Sequence, residues 1–288
     1  MNRNLKLAMQ KKGRLTEKSI ALLKTCGIDV EMYSERLVIT ARNFDLDVLF
    51  LRDDDIPEYV QDGVADIGIV GENVLFEKKV DAEVVRKLGF GKCKLMIAIP
   101  EKEEIKEINE LDGKRIATSY PVILQNFLNE NKITAKIIDI SGSVEIAPTL
   151  GISDYICDLV STGNTLKMNK LKKSFNVFES EAVLISNKNI NSKSVRYKAL
   201  QRLLQRIDSA LNARNSKYIM MNIPKDALDT IRNIVPALKS PTILHLADEN
   251  MLALHAVIPS DKFWEINDDL KNAGASGILV IPIENMIL

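Results

Sequence analysis

Histidine is nearly absent. The chain has two among 288 residues, and both, His245 and His255, fall near its C-terminal end. Chemistry around residue 160 therefore uses no imidazole as acid, base or metal ligand. Cysteine is equally sparse: Cys26, Cys93 and Cys157 are odd in number, widely scattered and free of metal-ligand spacing, so they read as reduced thiols of a cytosol. There is no charge excess. With 39 basic and 39 acidic residues the chain is not built as a polyelectrolyte partner, which speaks against general nucleic-acid binding. Met1-Asn2-Arg3-Asn4-Leu5-Lys6 lacks the apolar stretch of a signal peptide, and no run approaches a membrane span. The expected location is cytoplasmic. No internal repeat or low-complexity segment is visible, and no Gly-Lys-Ser/Thr ending marks a Walker A loop.

What is present is an apolar content of 46%, enough for two or three compact units. Leu5 to Met9 reads as a first strand and Ile20 to Leu23 as part of a helix that Gly27 ends. Between them Lys11-Lys12-Gly13-Arg14-Leu15 puts three cations where ligand crevices form in open α/β sheets, or simply solvated lysines before a helix. Val48 to Leu51 is a strand running into Arg52-Asp53-Asp54-Asp55-Ile56-Pro57, with Asp55 a helix cap and Pro57 in the first turn. Ala65 to Gly71 is a short strand. Its Gly68 and Gly71 either admit a ligand or serve packing and turn formation. Glu83–Leu88 and Cys93–Ile99 read as strands joined through Gly89-Phe90-Gly91. Arg115 to Thr118 and Ala135 to Ile140 read as strands with a helix, Val122 to Leu128, between them. Gly142 to Pro148 starts another helix, capped by Ser141 or Ser143. Val177 to Ile185 is one strand and Ser194 to Arg214 a long amphipathic helix. The alternation predicts a parallel-type α/β architecture in two lobes.

Beyond Ser216 the pattern changes to strand (Tyr218–Asn222), helix (Lys225–Ile234), strands (Ser240–Leu246 and Leu252–Ile258), helix (Asp261–Asn272) and strand (Ser276–Pro282). This βαββαβ order is the ferredoxin-like split unit. Such an appended unit suits a regulator or a partner.

The most telling stretch is Asp158-Leu159-Val160-Ser161-Thr162-Gly163-Asn164-Thr165-Leu166. An apolar strand, Ile152 to Val160, runs into a hydroxyl-rich turn with one glycine and then a short helix near Leu166 to Leu171. That geometry can hold phosphate on unpaired helix-start N–H groups, with Ser161, Thr162 and Thr165 as extra donors. The same hydroxyls could merely cap the helix. Asp158 is suited to ribose hydroxyls or to a magnesium ion.

Taken together, the Lys12-Gly13-Arg14-Leu15 turn, Arg52 with Asp55-Ile56-Pro57, Gly63 to Gly71, Gly142 to Pro148, Asp158 to Leu166 and Ser240-Pro241-Thr242 resemble an ATP phosphoribosyltransferase of the long form. The resemblance spans essentially the whole chain. It implies two lobes like a periplasmic binding protein, residues 1–92 with 184–216 and residues 93–183, plus an ACT-like regulatory unit at 217–288. It implies that phosphoribosyl pyrophosphate (PRPP) binds Asp158, Ser161, Thr162, Gly163, Asn164, Thr165 and Leu166. It assigns ATP to Gly13, Arg14, Leu15, Arg52, Cys93 and Glu145, and Mg2+ as cofactor with unknown ligands. Histidine, as feedback inhibitor, would meet Asn222, Ser240, Thr242, Gly274 and Gly277, with Asn222 standing where relatives often carry aspartate. AMP is the other implied inhibitor, and a hexamer exchanging with dimers the implied assembly.

The chemistry agrees with the scarcity of histidine. N1 of adenine is unprotonated near neutral pH, so its attack on the ribose needs no general base, and no acid or base catalyst is named. The rival readings are a non-catalytic two-lobed solute-binding or sensor module, and a phosphoribosyltransferase for another base on a different fold.

Overall fold

The computed structural model describes residues 4–31, 36–160 and 163–288. The chain divides into two compact units, Met1–Ala21 with Asp29–Ala199, and Leu22–Ile28 with Leu200–Leu288.

The first unit opens with β1 (Leu5–Gln10), α1 (Arg14–Thr25), β2 (Val38–Thr40) and β3 (Leu46–Leu51), followed by α2 (Ile56–Gln61), β4 (Ile67–Gly71), α3 (Glu72–Lys78) and β5 (Ala82–Lys87). The next stretch forms β6 (Cys93–Pro100), β7 (Arg115–Thr118), α4 (Pro121–Glu130), β8 (Lys136–Asp139), β9 (Tyr155–Val160), α5 (Asn164–Met168) and β10 (Leu171–Ser180). Then comes β11 (Ala182–Asn187), and α6 (Val195–Arg214) begins in this unit and belongs to the second from Leu200 onward. Leu5, Leu7, Ala8 and Met9 of β1 are all buried. A central parallel strand is covered on both faces, so it reads as a continuous apolar run rather than an alternation.

Two sheets result. One has the order β2-β3-β1-β4-β11-β5, with β3, β1 and β4 parallel and the remaining pairs antiparallel. The other has the order β10-β6-β9-β7-β8, with β9, β7 and β8 parallel. This is the two-lobed binding-protein architecture. The single strand expected over Val177 to Ile185 is two strands: β10 closes the second sheet, and β11, after Glu181, enters the first. The edge strand β2 carries too short an apolar pattern to be read from sequence. β9 begins only at Tyr155, because the preceding Asp154 carboxylate is taken by Arg115, whose Nη2 and backbone N–H both donate at 2.8 Å. The helix expected from Gly142 is one 3-10 turn, Val144–Ile146, without a side-chain cap.

The chain passes between the sheets twice, and the passages are bonded to each other. Leu88 N–H donates to the Ala182 carbonyl at 2.9 Å and Ala182 N–H to that of Phe90 at 2.8 Å. Beside them Asn73 is buried. Its backbone N–H donates to Ser180 Oγ at 3.1 Å, and Ser180 Oγ–H donates to Asn73 Oδ1 at 2.8 Å. A Cβ on Gly71 would lie 2.4 Å from that Oδ1, and one on Gly68 would lie 2.7 Å from Ile56 Cγ2. Both glycines therefore serve packing. From the same helix α3, Glu77 accepts hydrogen bonds from Val122 N–H at 2.9 Å and Ile123 N–H at 3.0 Å. These are orphan donors of the first turn of α4, which Pro121 starts and no residue of its own caps. Phe76 meets Phe178 edge-on with centroids 5.0 Å apart.

The second unit adds β12 (Ser216–Pro224), α7 (Leu228–Ile234), β13 (Thr242–His245), β14 (Met251–Pro259), α8 (Phe263–Asn272) and β15 (Ser276–Pro282). Its sheet, β13-β14-β12-β15, is antiparallel throughout. Ile219, Met221 and Ile223 alternate along β12, and Leu252, Leu254, Ala256 and Ile258 along β14, and all join Ile231, Phe263 and Leu270 of the helices in one core. The expected βαββαβ unit is thus present.

Glu77→Ala strips a carboxylate from two helix-start donors, so it should lower stability by about 1–2 kcal/mol, as losing an N-cap does. Urea unfolding of the intact chain checks this. A variant as stable as the parent would show that α4 needs no cap from α3.

Candidate functional site

Functional groups collect where parallel strands end, as they do in open α/β sheets. After β1, Gly13 takes φ 115°, a left-handed turn that starts α1 at Arg14. Arg14 is exposed, while Leu15 is half-buried and reaches the passage between sheets, with Cδ1 3.4 Å from where a Cβ on Gly91 would sit. After β3, Arg52 is exposed and the 3-10 turn Asp53–Asp55 leads into α2. Asp55 precedes that helix but makes no side-chain cap.

Asp53 is the unusual member. Its Oδ1 is buried with no hydrogen-bond partner among the described residues. Burial, and then the neighbouring Asp54, push its carboxyl up to about 6.

Its charge is felt by Tyr120, which follows β7 and was not singled out in the sequence. Its phenol is held far above its ordinary range, first by burial and then by the charges of Asp158, Asp53 and Asp54, while a hydrogen bond with the Asn73 side chain works in the opposite direction. One phenol thus feels carboxylates from both sheets. The signal that could have revealed it is Tyr120-Pro121, a polar aromatic between the end of a strand and a proline that starts a helix.

Asp158 is half-buried near the end of β9. Burial raises its carboxyl, a hydrogen bond from Leu159 N–H at 2.7 Å opposes this, and the nearby Glu145 charge adds to the rise. The resemblance assigned Asp158 and Glu145 to different substrates, yet they are electrostatic neighbours. Ser161 and Thr162 lie outside the described residues. Gly163 adopts φ 86°, and a Cβ there would come within 3.0 Å of Lys173 Cε. Asn164 and Thr165 are exposed at the start of α5. Leu166 instead is buried and packs with Val160, Ala98 and Val144, so its side chain belongs to the core. Cys93 lines a cavity of about 420 Å3 with Lys92, Met96, Val160, Lys173 and Ser180. Burial pushes its thiol up, and a hydrogen bond with Ser180 partly offsets this.

In the second unit, Asn222 and Gly277 come together, with Asn222 Nδ2 3.7 Å from a Cβ built on Gly277. Gly274 faces Pro224, which a Cβ would approach to 2.9 Å, so its lack of a side chain serves the turn. Thr242 pairs with His255, and β14 separates it from Asn222. Ser240 is exposed just before β13. Within one chain these five residues do not form one cluster.

A family model described as ATP phosphoribosyltransferase matches residues 52–209, and one for the C-terminal domain of the same family matches residues 213–285. A protein of Cytophaga hutchinsonii named ATP phosphoribosyltransferase is 50% identical over 287 residues, covering 100% of both chains. The chain belongs to the ATP phosphoribosyltransferase family. A second relative of that name, from Bacteroides thetaiotaomicron, is 48% identical over 284 residues, 99% of this chain and 100% of its own. Among solved structures, the HisG:HisZ complex of ATP phosphoribosyl transferase from Thermotoga maritima has a chain 33% identical to this one. It aligns with a TM-score of 0.59 over 71% of this chain and 98% of that one.

For a family with phosphorylated substrates, the donor set bears on a divalent cation. Among the described residues no group of three His, Cys, Asp or Glu side chains can hold a metal. Mg2+ commonly binds one or two carboxylates together with substrate phosphates, and the mutually repelling Asp158 and Glu145 fit that mode. No helix among the described residues is long and apolar enough to cross a membrane.

The raised Asp53 carboxyl has a consequence for stability. Its folded value of about 6 exceeds the ordinary 3.8, so its contribution is full below 3.8 and lost as pH rises through 6. Asp53→Asn abolishes that loss. The variant's stability relative to the parent should therefore grow between about pH 4 and pH 7, read as the difference in urea midpoints. A difference independent of pH would contradict the assigned burial.

Proposed function

We infer that this protein transfers the phosphoribosyl group of PRPP to N1 of ATP, giving N1-(5-phosphoribosyl)-ATP and pyrophosphate, the first committed step of histidine biosynthesis. The observation that carries the reading is full-length membership of the family, joined to a site where the charges of carboxylates from both lobes act on Tyr120. The rival solute-binding reading is not favoured, because the match extends through the C-terminal unit as well.

PRPP is assigned to Asp158 and residues 161–166, with its 5-phosphate on the turn and its ribose hydroxyls near Asp158. ATP is assigned to Gly13, Arg14, Leu15, Arg52, Cys93 and Glu145. Lobe I comprises residues 1–92 and 184–216, lobe II residues 93–183, and the regulatory unit residues 217–288. The N1 lone pair attacks ribose C1 as pyrophosphate leaves, and no general base is needed. Consistent with this, the first unit contains no histidine. Arg14 and Arg52 orient and neutralise phosphates through their planar, multiply donating guanidinium groups. Asp158, with Glu145 beside it, would hold Mg2+, whose charge would stabilise the departing pyrophosphate. Alignment of both substrates can lower the barrier by roughly 7–11 kcal/mol in the best cases.

The supply of ATP and PRPP argues for a cytoplasmic enzyme. Histidine is assigned to Asn222, Ser240, Thr242, Gly274 and Gly277, and AMP is the second inhibitor. Because the five residues are spread over the sheet of one chain, a site completed between chains of a hexamer, in exchange with dimers, accounts for them better than one within a protomer.

Two measurements test this. Pyrophosphate should appear only when ATP, Mg2+ and PRPP are all supplied, and its absence would refute the transferase reading. Thr242→Ala should raise the histidine needed for half-inhibition about tenfold, one lost hydrogen bond, with turnover in the absence of histidine unchanged. An unaltered histidine response would remove Thr242 from the inhibitor site.

A further inference from the structure

Asp53 is a carboxylate whose environment the assigned roles leave unexplained. Buried polar atoms nearly always have a partner, and its Oδ1 has none among the described residues. The side chain does not support its own turn, where the Asp53 carbonyl instead accepts from Ile56 N–H. Among the described residues no positive charge counts among the influences on its carboxyl. Asp54 adds a like charge, and Tyr120, which feels the Asp53 charge, also feels that of Asp158. A carboxylate in that position opposes folding, so its presence calls for a positive charge that develops only during the reaction.

We propose that Asp53 is a catalytic carboxylate that faces the transferring ribose from the first lobe, opposite Asp158, and stabilises the positive charge developing at C1. This rests on the PRPP assignment above. In the transfer, the N1 lone pair forms the C1–N1 bond, and the C1–O bond to pyrophosphate breaks with its electron pair leaving on oxygen. No proton moves in that step. The sugar carries its greatest positive charge between these two events. A carboxylate with one oxygen buried and without a donor among the described residues, as Asp53 Oδ1 is, interacts with it most strongly there. PRPP itself is an anion, so Asp53 does nothing to favour ground-state binding. Its effect is confined to the transition state, which is the condition for raising turnover rather than affinity.

Asp53→Asn keeps the shape and removes the charge. With ATP and Mg2+ saturating, kcat should fall about 100- to 1,000-fold, the range for one preorganised electrostatic contact, while the KM for PRPP stays level or falls. PRPP binding by calorimetry should persist, and the melting temperature at neutral pH should not drop. If the asparagine variant does not fold, Asp53→Ser is read in its place. A kcat within about threefold of the parent overturns the proposal. So does a rise in KM with kcat intact, which would make Asp53 a ribose-hydroxyl acceptor, or a lowered melting temperature with normal kcat, which would make it structural. Parent enzyme that releases no pyrophosphate overturns the PRPP reading itself, a separate result.

Discussion

The junction between the two sheets depends on one buried side chain, Asn73. It stands just after β4, where the two passages between the sheets run side by side, and it exchanges hydrogen bonds with Ser180 at the end of β10. Its amide also meets the Tyr120 phenol at the start of α4. A single residue of the first lobe is therefore tied to the last strand of the second and to the residue on which the cleft carboxylates converge. Gly71 must lack a Cβ to leave room for that amide. Because buried polar groups without partners are costly, the network is stable only with all its members present.

The same helix supplies the second tie. Glu77 closes the open end of α4, so α3 holds the second lobe at two points roughly one turn apart along its own axis. Around this junction the charges of Asp53, Asp54 and Asp158 act together on Tyr120, while the exposed Arg14 and Arg52 follow strands of the first sheet. Such an arrangement suits a substrate whose phosphates are anionic and whose sugar becomes cationic only during reaction. The stability given up at Asp53 has a natural explanation there, since functional sites concentrate groups that the fold alone would reject.

The sequence made the architecture legible where periodicity is strong. Alternation through Ile219, Met221 and Ile223, and again through Leu252, Leu254 and Ala256, identifies strands with one covered face, and the order of elements yields the βαββαβ unit. It was blind where a run of apolar residues hides a change of sheet: Val177 to Ile185 has no local feature marking Glu181 as the crossing. The roles of Gly68 and Gly71 stayed open, because a glycine admitting a ligand and one admitting Ile56 or Asn73 look alike. Tyr120, Asn73 and Glu77 went unnoticed because their function comes from contacts about 45 to 107 residues away in sequence, which no short motif encodes. Asp53 sat within a quoted run, and only its missing partner sets it apart.

The central claim is that groups from both lobes act on one substrate. Hydrogen–deuterium exchange with and without PRPP, Mg2+ and a non-reactive ATP analogue tests it most directly. The account predicts that residues 52–56 of the first lobe and residues 118–122 and 156–166 of the second become protected together when PRPP is added. Protection confined to one lobe, with the other exchanging as in the free protein, would contradict it.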